Sequence, residues 1–407
     1  MISMARITEQ NCMACGACVS ACPVTCIAIN RTSEGFYMAQ IDTDRCVGCG
    51  LCQKVCPMNR RPEGRSWEDG EYYAAWATDA VLRRSGSSGG LFGLLSEFVL
   101  SQKGIVFGAA YSDDLKFVYH TDSDHVPLEA LKKSKYVESN PGIVLRNVKK
   151  QLDTGRLVLF CGTSCQIDGL CSYLGKSYPN LITCDFLCHG VPSSAVYEKY
   201  ISDLETLYGK IAAIDFRSKA FGWKAYCVKA EFLSGKQYLK TRFQDPYLSA
   251  FMDSSIIRPE CQGCTRLQNS NADITLGDFW GITKIKGMRD TNEGVSLVGI
   301  HTEQGRHAFE ALLDNNCCEA ILLSKEKYAY AYQLRPISQQ SDKNRRPELL
   351  RTENMLLMNI SLKEKFKGCL YWARAVLQKA QTGKYVHKAR EIEMRYIKMG
   401  ETQNEDY

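Results

Sequence analysis

The sequence predicts an α/β protein, α+β overall once its two ends are counted. Three observations carry this. Nine cysteines crowd the first 60 residues in two matching runs. From Glu71 to about Leu323, β-rich segments alternate with segments of helical period, the pattern of a layered α/β domain. Beyond Arg335-Pro336 the chain turns polar and then helical, with Leu356, Leu357, Ile360 and Phe366 near helical spacing.

The first segment is an internal repeat. Cys12-x2-Cys15-x2-Cys18-x3-Cys22-Pro23 recurs as Cys46-x2-Cys49-x2-Cys52-x3-Cys56-Pro57, with Gly16 and Gly50 after the second cysteine of each run. Three cysteines at x2 spacing wrap one face of a cubane, and the fourth, before a proline, leads to the other cluster. The spacing assigns Cys12, Cys15, Cys18 and Cys56 to one 4Fe-4S cluster, and Cys46, Cys49, Cys52 and Cys22 to a second. Zinc is the rival, because paired Cys-x2-Cys also describes zinc ribbons, but tandem runs of four ending in Cys-Pro suit it poorly. Cys26 stands outside the pattern; Ile27-Ala28-Ile29 reads as a strand after it, and a buried core thiol is expected. Along about 50 residues the repeat resembles the bacterial two-cluster ferredoxins.

This ferredoxin-like unit is expected to span residues 1–62, followed by a basic linker punctuated by Pro and Gly, Arg60–Ser66. The larger domain opens with a strand, Tyr72–Ala77, and a helix with Leu91, Leu94, Leu95, Phe98 and Val99 on one face, stopped by Gly104. Ile105–Ala109 and Leu157–Phe160 read as buried strands. Residues 71–150 and 151–330 are expected to form two parts of this domain, and 340–407 a basic helical tail.

At 407 residues the chain exceeds one ordinary core, and its 45% hydrophobic and 24% charged composition is that of a globular protein. A disulfide framework for the 20 cysteines would suit a short secreted chain. Metal-ligand spacing and an N-terminus without a signal-like apolar region point instead to a reducing, cytoplasmic setting. No run of 18 apolar residues exists, so no transmembrane segment is expected. From Asp342 onward, 14 Lys and Arg stand against 9 Asp and Glu, which is five of the six net positive charges. That tail is either a solvated face or a docking element for an acidic protein or anionic lipid. No nucleic-acid-binding pattern accompanies it.

Within the larger domain, Ser85-Gly86-Ser87-Ser88-Gly89-Gly90 precedes the helix that begins near Leu91. It is either a phosphate cradle at a helix N-terminus or a capped helix after a flexible turn. Ser87-Ser88-Gly89-Gly90, Lys135-Tyr136-Val137, Gly162-Thr163-x-Cys165-Gln166, Cys188-His189-Gly190-Val191-Pro192-Ser193, Phe216-Arg217-x-Lys219, Cys261-x2-Cys264 and Leu276-Gly277-Asp278-Phe279-Trp280-Gly281 form an ordered series. From about Tyr73 to Leu323 this series resembles the beta subunits of coenzyme F420 (deazaflavin) hydrogenases and dehydrogenases.

The resemblance implies a flavin, generally FAD, exchanging electrons between iron–sulfur clusters and a two-electron carrier or substrate. Ser87, Ser88, Gly89 and Gly90 then become candidates for flavin phosphate, with Lys135 and Tyr136 beside the ring or its phosphates. His189 is either a proton donor, with Lys135 as a second candidate catalytic group, or a residue that shapes its turn. Asp278 and Trp280 are either packing or site residues. Cys165, Cys188, Cys261 and Cys264 are candidates for a third 4Fe-4S cluster; the alternatives are separate buried thiols or a zinc pair at Cys261 and Cys264. Cys161 and Cys171 are expected as buried free thiols. One departure is Ser164, where relatives commonly carry proline.

The first reading is a flavin-dependent iron–sulfur oxidoreductase, taking electrons from a soluble ferredoxin or another redox protein and reducing a small organic substrate. Similar bacterial proteins sit in surface-polysaccharide gene sets. Two others stay open: an electron-transfer subunit of a larger redox complex, and a redox sensor or scaffold without turnover.

Overall fold

The computed structural model describes residues 12–59, 64–267, 269–288, 291–328, 351 and 355–357. The tail expected over 340–407 and the linker residues 60–63 lie outside that set, apart from residue 351 and a single 3-10 turn at Met355–Leu357.

Strands β1 (Ile27–Arg31) and β2 (Tyr37–Ile41) pair antiparallel in the small N-terminal unit. Each cysteine run enters a short helix, Ala17–Ala21 or Leu51–Lys54. The residues before these helices, Gly16 and Gly50, adopt φ of 80° and 71°. That left-handed conformation is why glycine follows the second cysteine in both runs.

The larger domain is built on a nine-stranded mixed sheet. Its strands in chain order are β4 (Glu71–Ala77), β5 (Ile105–Tyr111), β6 (Val118–Asp122), β7 (Ser139–Asn140), β8 (Val158–Gly162), β9 (Leu181–Phe186), β14 (Ile274–Asp278), β15 (Ser296–Ile300) and β16 (Cys318–Leu322). Between them in the chain, β10 (Ile211–Ser218), β11 (Cys227–Phe232) and β12 (Gln237–Thr241) form an antiparallel sheet. β3 (Arg65–Ser66) pairs with β13 (Asn269–Ser270).

Across the large sheet the order is β16-β4-β15-β14-β9-β8-β5-β6-β7, and β14, β9, β8 and β5 are mutually parallel. Val158, Leu159 and Phe160 are buried in succession, as a parallel strand covered on both faces requires. Strands from residues 71–150 and from 151–330 share this sheet. The expected strands at Tyr72–Ala77, Ile105–Ala109 and Leu157–Phe160 and the helix from Leu91 are all present, the helix running to Ser101.

The helix Val144–Asp153 buries Val144, Leu145, Val148 and Leu152, one apolar stripe, against the sheet. The helix Ser164–Leu174 starts in a capping box between Thr163 and Gln166 and ends at Gly175, φ 66°. A second core surrounds β10–β12, where Tyr200 and Tyr238 both donate to the buried Asp245 carboxylate at 2.7 and 2.9 Å. The parallel strands β8, β9 and β14 all end on one edge of the sheet, which is where open α/β sheets place ligands.

Candidate redox site

At that edge lies a cavity of about 990 Å³. Its wall takes Ser85–Ser88 and Gly90–Gly93 from the turn after β4, Cys161–Gln166 from the end of β8, Asp185–Pro192 from β9, and Leu276–Asp278 with Trp280 from β14. Lys135, Tyr136 and His189 are in the wall as well.

The glycine-rich turn is tied down from behind. Arg217 Nη2 donates to Ser87 O at 2.9 Å, and Lys219 Nζ donates to the carbonyls of Arg83, Ser88 and Glu293 at 2.6, 2.6 and 2.8 Å. Ser87 Oγ accepts from Ser134 N, and Ser88 Oγ donates to Val295 O. Gly89 differs from the expectation that it meets a phosphate. Its N–H donates to Ser296 Oγ at 2.9 Å, and a Cβ there would meet Ala75 O at 2.4 Å. Close packing on β4 and β15 demands this glycine. Leu91, Phe92 and Gly93 of the first helical turn line the cavity, and no side chain caps this helix.

Lys135 turns inward, donating to Lys132 O and Lys133 O at 2.8 and 3.3 Å, while Lys133 pairs with Asp215. Burial is the main cause that pushes the Lys135 ammonium down to about 7. Tyr136 OH accepts from Arg217 Nη1 at 3.2 Å, its ring 4.8 Å from that of Phe251. His189 Nε2 lies 3.2 Å from Ser254 Oγ, its ring is edge-on to Phe251, and burial lowers its pKa. Asp278 forms a two-pronged pair with Arg217 at 2.7 and 2.8 Å and accepts from Trp223 Nε1. Trp280 stacks on Trp223 at 4.3 Å.

Cys165, Cys188, Cys261 and Cys264 all stand in this wall. Burial, and after it the charges of Cys261 and Cys165, push the Cys188 thiol well up. A Cβ on Gly190 would touch Cys261 Cβ at 3.1 Å. Among the described residues no three His, Cys, Asp or Glu side chains converge tightly enough for one ion. A cubane spreads its thiolates over separate irons and asks for neighbours, not for one point of convergence.

The first cysteine run reaches the same place. Met13 and Ala14 belong to the cavity wall, and a Cβ on Gly169 would lie 2.8 Å from Cys15 Sγ. Arg258 binds across the junction, Nη1 to Cys12 O at 2.8 Å and Nη2 to Tyr37 O at 2.7 Å, and pairs with the buried Glu138. Cys22 of the first run lines one small cavity with Cys26 and with Cys46, Cys49 and Cys52 of the second. Cys18 feels the charges of Cys12 and Cys56 most strongly after burial. Cys26 is buried beside Cys22, their sulfurs 3.5 Å apart. Cys171 differs from the expectation of a buried thiol and is exposed.

Residues 5–61 match the family of 4Fe-4S dicluster domains, and a second dicluster family matches 38–86. Residues 155–326 match the family described as the C terminus of the beta subunit of coenzyme F420 hydrogenase/dehydrogenase. The chain joins a 4Fe-4S dicluster domain to a domain of this beta-subunit family. It is an iron–sulfur redox protein. A chain of the F420-reducing [NiFe] hydrogenase complex from Methanosarcina barkeri is similar at 17% identity and a TM-score of 0.41, covering 69% of this chain and 88% of that one. No curated protein matches. No helix among the described residues is long and apolar enough to cross a membrane.

The beta-subunit domain holds site residues that sequence reasoning did not single out. Arg258 and Glu138, 120 positions apart, meet only through the fold. Arg242 and Lys224 stand in the cavity wall from β12 and the loop before β11, with no motif to announce them. Ser164, the departure from the family's pattern, donates to the buried Asp185 at 2.6 Å.

Proposed function

We propose that the protein is a flavin-dependent iron–sulfur oxidoreductase acting on a small anionic organic substrate. The observation that carries this is continuity: one cavity is walled by Ser87, Ser88 and Gly90–Gly93, by Cys165, Cys188, Cys261 and Cys264, and by Met13 and Ala14 of the dicluster domain.

The residues suit a dinucleotide flavin. The uncapped amides of Leu91, Phe92 and Gly93 offer donors to a phosphate, and the helix dipole favours an anion there. Lys132, Lys133, Lys135, Arg217, Lys224, Arg242, Arg258 and Arg266 in the wall outnumber Glu138, Asp185, Asp253 and Asp278. Two of those acids, Glu138 and Asp278, are matched by arginine. A flavin there would convert single electrons into a two-electron transfer. Lys135 would hold a phosphate or a substrate carboxylate, Tyr136 and Trp280 would bound the ring, and His189 would hold a proton at Nε2. A third 4Fe-4S cluster on Cys165, Cys188, Cys261 and Cys264 would carry electrons from the Cys15 side to the cavity.

Anaerobically prepared protein tests this through its spectrum, its extracted cofactor and its iron. One FAD and about 12 irons per chain are expected, against about 8 for two cubanes. Cys261→Ser with Cys264→Ser should bring iron back to about 8 with both dicluster signals kept. Flavin-free protein after reconstitution overturns the reading. Gly89→Asp is unsuitable as a test, because it breaks packing against Ala75 with or without a flavin.

A further inference from the structure

Cys161 and Cys184 are direct register partners on the parallel strands β8 and β9. One strand spacing, about 4.8 Å, separates the Cα atoms of such partners. That lies inside the roughly 4.4–6.8 Å a disulfide bridges. Partners in register send their side chains to the same face, so neither strand has to move to bring the sulfurs together.

Their surroundings differ in the way a redox pair needs. Cys161 is half-buried and stands in the cavity wall, whereas Cys184 is fully buried behind it. A hydrogen bond to Cys161, and then burial, pushes the Cys184 thiol well up, which keeps it protonated as the resting partner. Each cysteine also lies four residues before a proposed cluster ligand, Cys161 before Cys165 and Cys184 before Cys188. The same two strands therefore carry the pair and, one turn further on, the cysteines that face the dicluster domain.

We propose that Cys161 and Cys184 form a reversible dithiol–disulfide couple, a two-electron redox site in the floor of the cavity. Oxidation joins the two Sγ atoms, releases two protons and hands two electrons to a two-electron organic acceptor of the flavin class in the cavity. Reduction breaks that bond with two electrons from two reduced 4Fe-4S clusters and two protons from solvent. Its use, pooling single electrons for a two-electron acceptor, rests on the function proposed above; its existence does not.

The test uses full-length, cluster-loaded protein under argon. Diamide, an azo compound that takes up the two electrons and two protons, is added, followed by acid quenching, alkylation and peptide mapping by mass spectrometry. A Cys161–Cys184 cross-link lacking two hydrogens is expected, with iron content unchanged and dithionite restoring both thiols. Cys161→Ala should leave Cys184 alkylated, and Cys171→Ala should leave the cross-link in place. Three results overturn the proposal: both thiols alkylated after diamide, either one joined to a third cysteine, or iron lost before the bond forms. Cross-linking in protein that holds no flavin would sink the proposed function and leave the couple standing.

Discussion

Ala17, in the first cysteine run, is fully buried among Ile105, Phe107 and Ile167 of the larger domain, while in the second run Val47 is 64% and Leu51 39% exposed. Arg146 reaches from the larger domain to the carbonyls of Ser20, Val19 and Cys22 at 2.7, 3.2 and 2.5 Å. A Cβ added at Gly48 or Gly50 would meet nothing within 4 Å. Identical spacing thus produces two clusters with different neighbours. Burial pushes the Cys15 thiol well up, and Cys49 is exposed. The repeat sets which metal group is bound, and docking against the β8–β9 edge sets which run lies beside the cavity. Under the function proposed above, the exposed run would be the face a one-electron donor approaches, and the buried run would pass electrons toward the cavity.

The largest effect that could break this comparison is loss of a whole cluster. The crossed ligation that the spacing predicts would put Cys22, from the buried run, on the exposed cluster with Cys46, Cys49 and Cys52. Cys22→Ser should therefore remove the exposed cluster and Cys12→Ser the buried one, each costing about four irons. Paramagnetic resonance of the reduced variants reads which signal goes. If both substitutions removed the same signal, the crossing would be wrong and the two runs would be independent.

A smaller effect sharpens it through stability. Gly169 packs on Cys15, and a Cβ there would sit 2.7 Å from Cys15 Cβ. Gly169→Ala overpacks the junction and should cost about 1–3 kcal/mol. Val47→Ala, in the exposed run, should stay within about 0.5 kcal/mol. Denaturant unfolding with clusters loaded measures both, and equal losses would mean that the two runs are held alike.

Much of this was legible beforehand, and the boundary has a physical cause. The cysteine runs, the glycines at positive φ and the strands Glu71–Ala77, Ile105–Tyr111 and Val158–Gly162 follow from local rules of ligand spacing, backbone conformation and apolar runs. The sheet edge that collects Cys165, Cys188 and His189 follows a general rule, because parallel strands end together and open α/β sheets place ligands there. What stayed hidden depends on contacts distant in sequence: Cys15 against Gly169, Arg258 with Glu138, Arg217 with Asp278. Gly89 shows the limit from the other side. A glycine in a serine-rich turn suggests an open backbone, yet this one is fixed by a carbonyl of the neighbouring strand.

The smallest expected effect concerns the cavity that the buried run shares and the exposed run does not. Lys135 stands in that wall with its ammonium pushed down to about 7, chiefly by burial and also by the charge of Lys133, against the pull of Cys161 and Asp215. Its folded pKa is thus below the unfolded value near 10.5. Below about 7 both states carry the proton and the folded chain bears the burial cost; across the window up to 10.5 only the unfolded chain does, so stability rises with pH there. Binding runs the other way, because the cation that meets an anion is lost as pH rises through about 7. Affinity for inorganic pyrophosphate should fall roughly tenfold across that step, the worth of one charge-assisted hydrogen bond. Glu138, raised to about 7, and Lys219, lowered to about 7, titrate in the same range, so the slope alone assigns nothing. Lys135→Met decides it. Titration calorimetry on that variant should show weaker binding with the step removed, and an undiminished step would move the effect to Glu138 or Lys219.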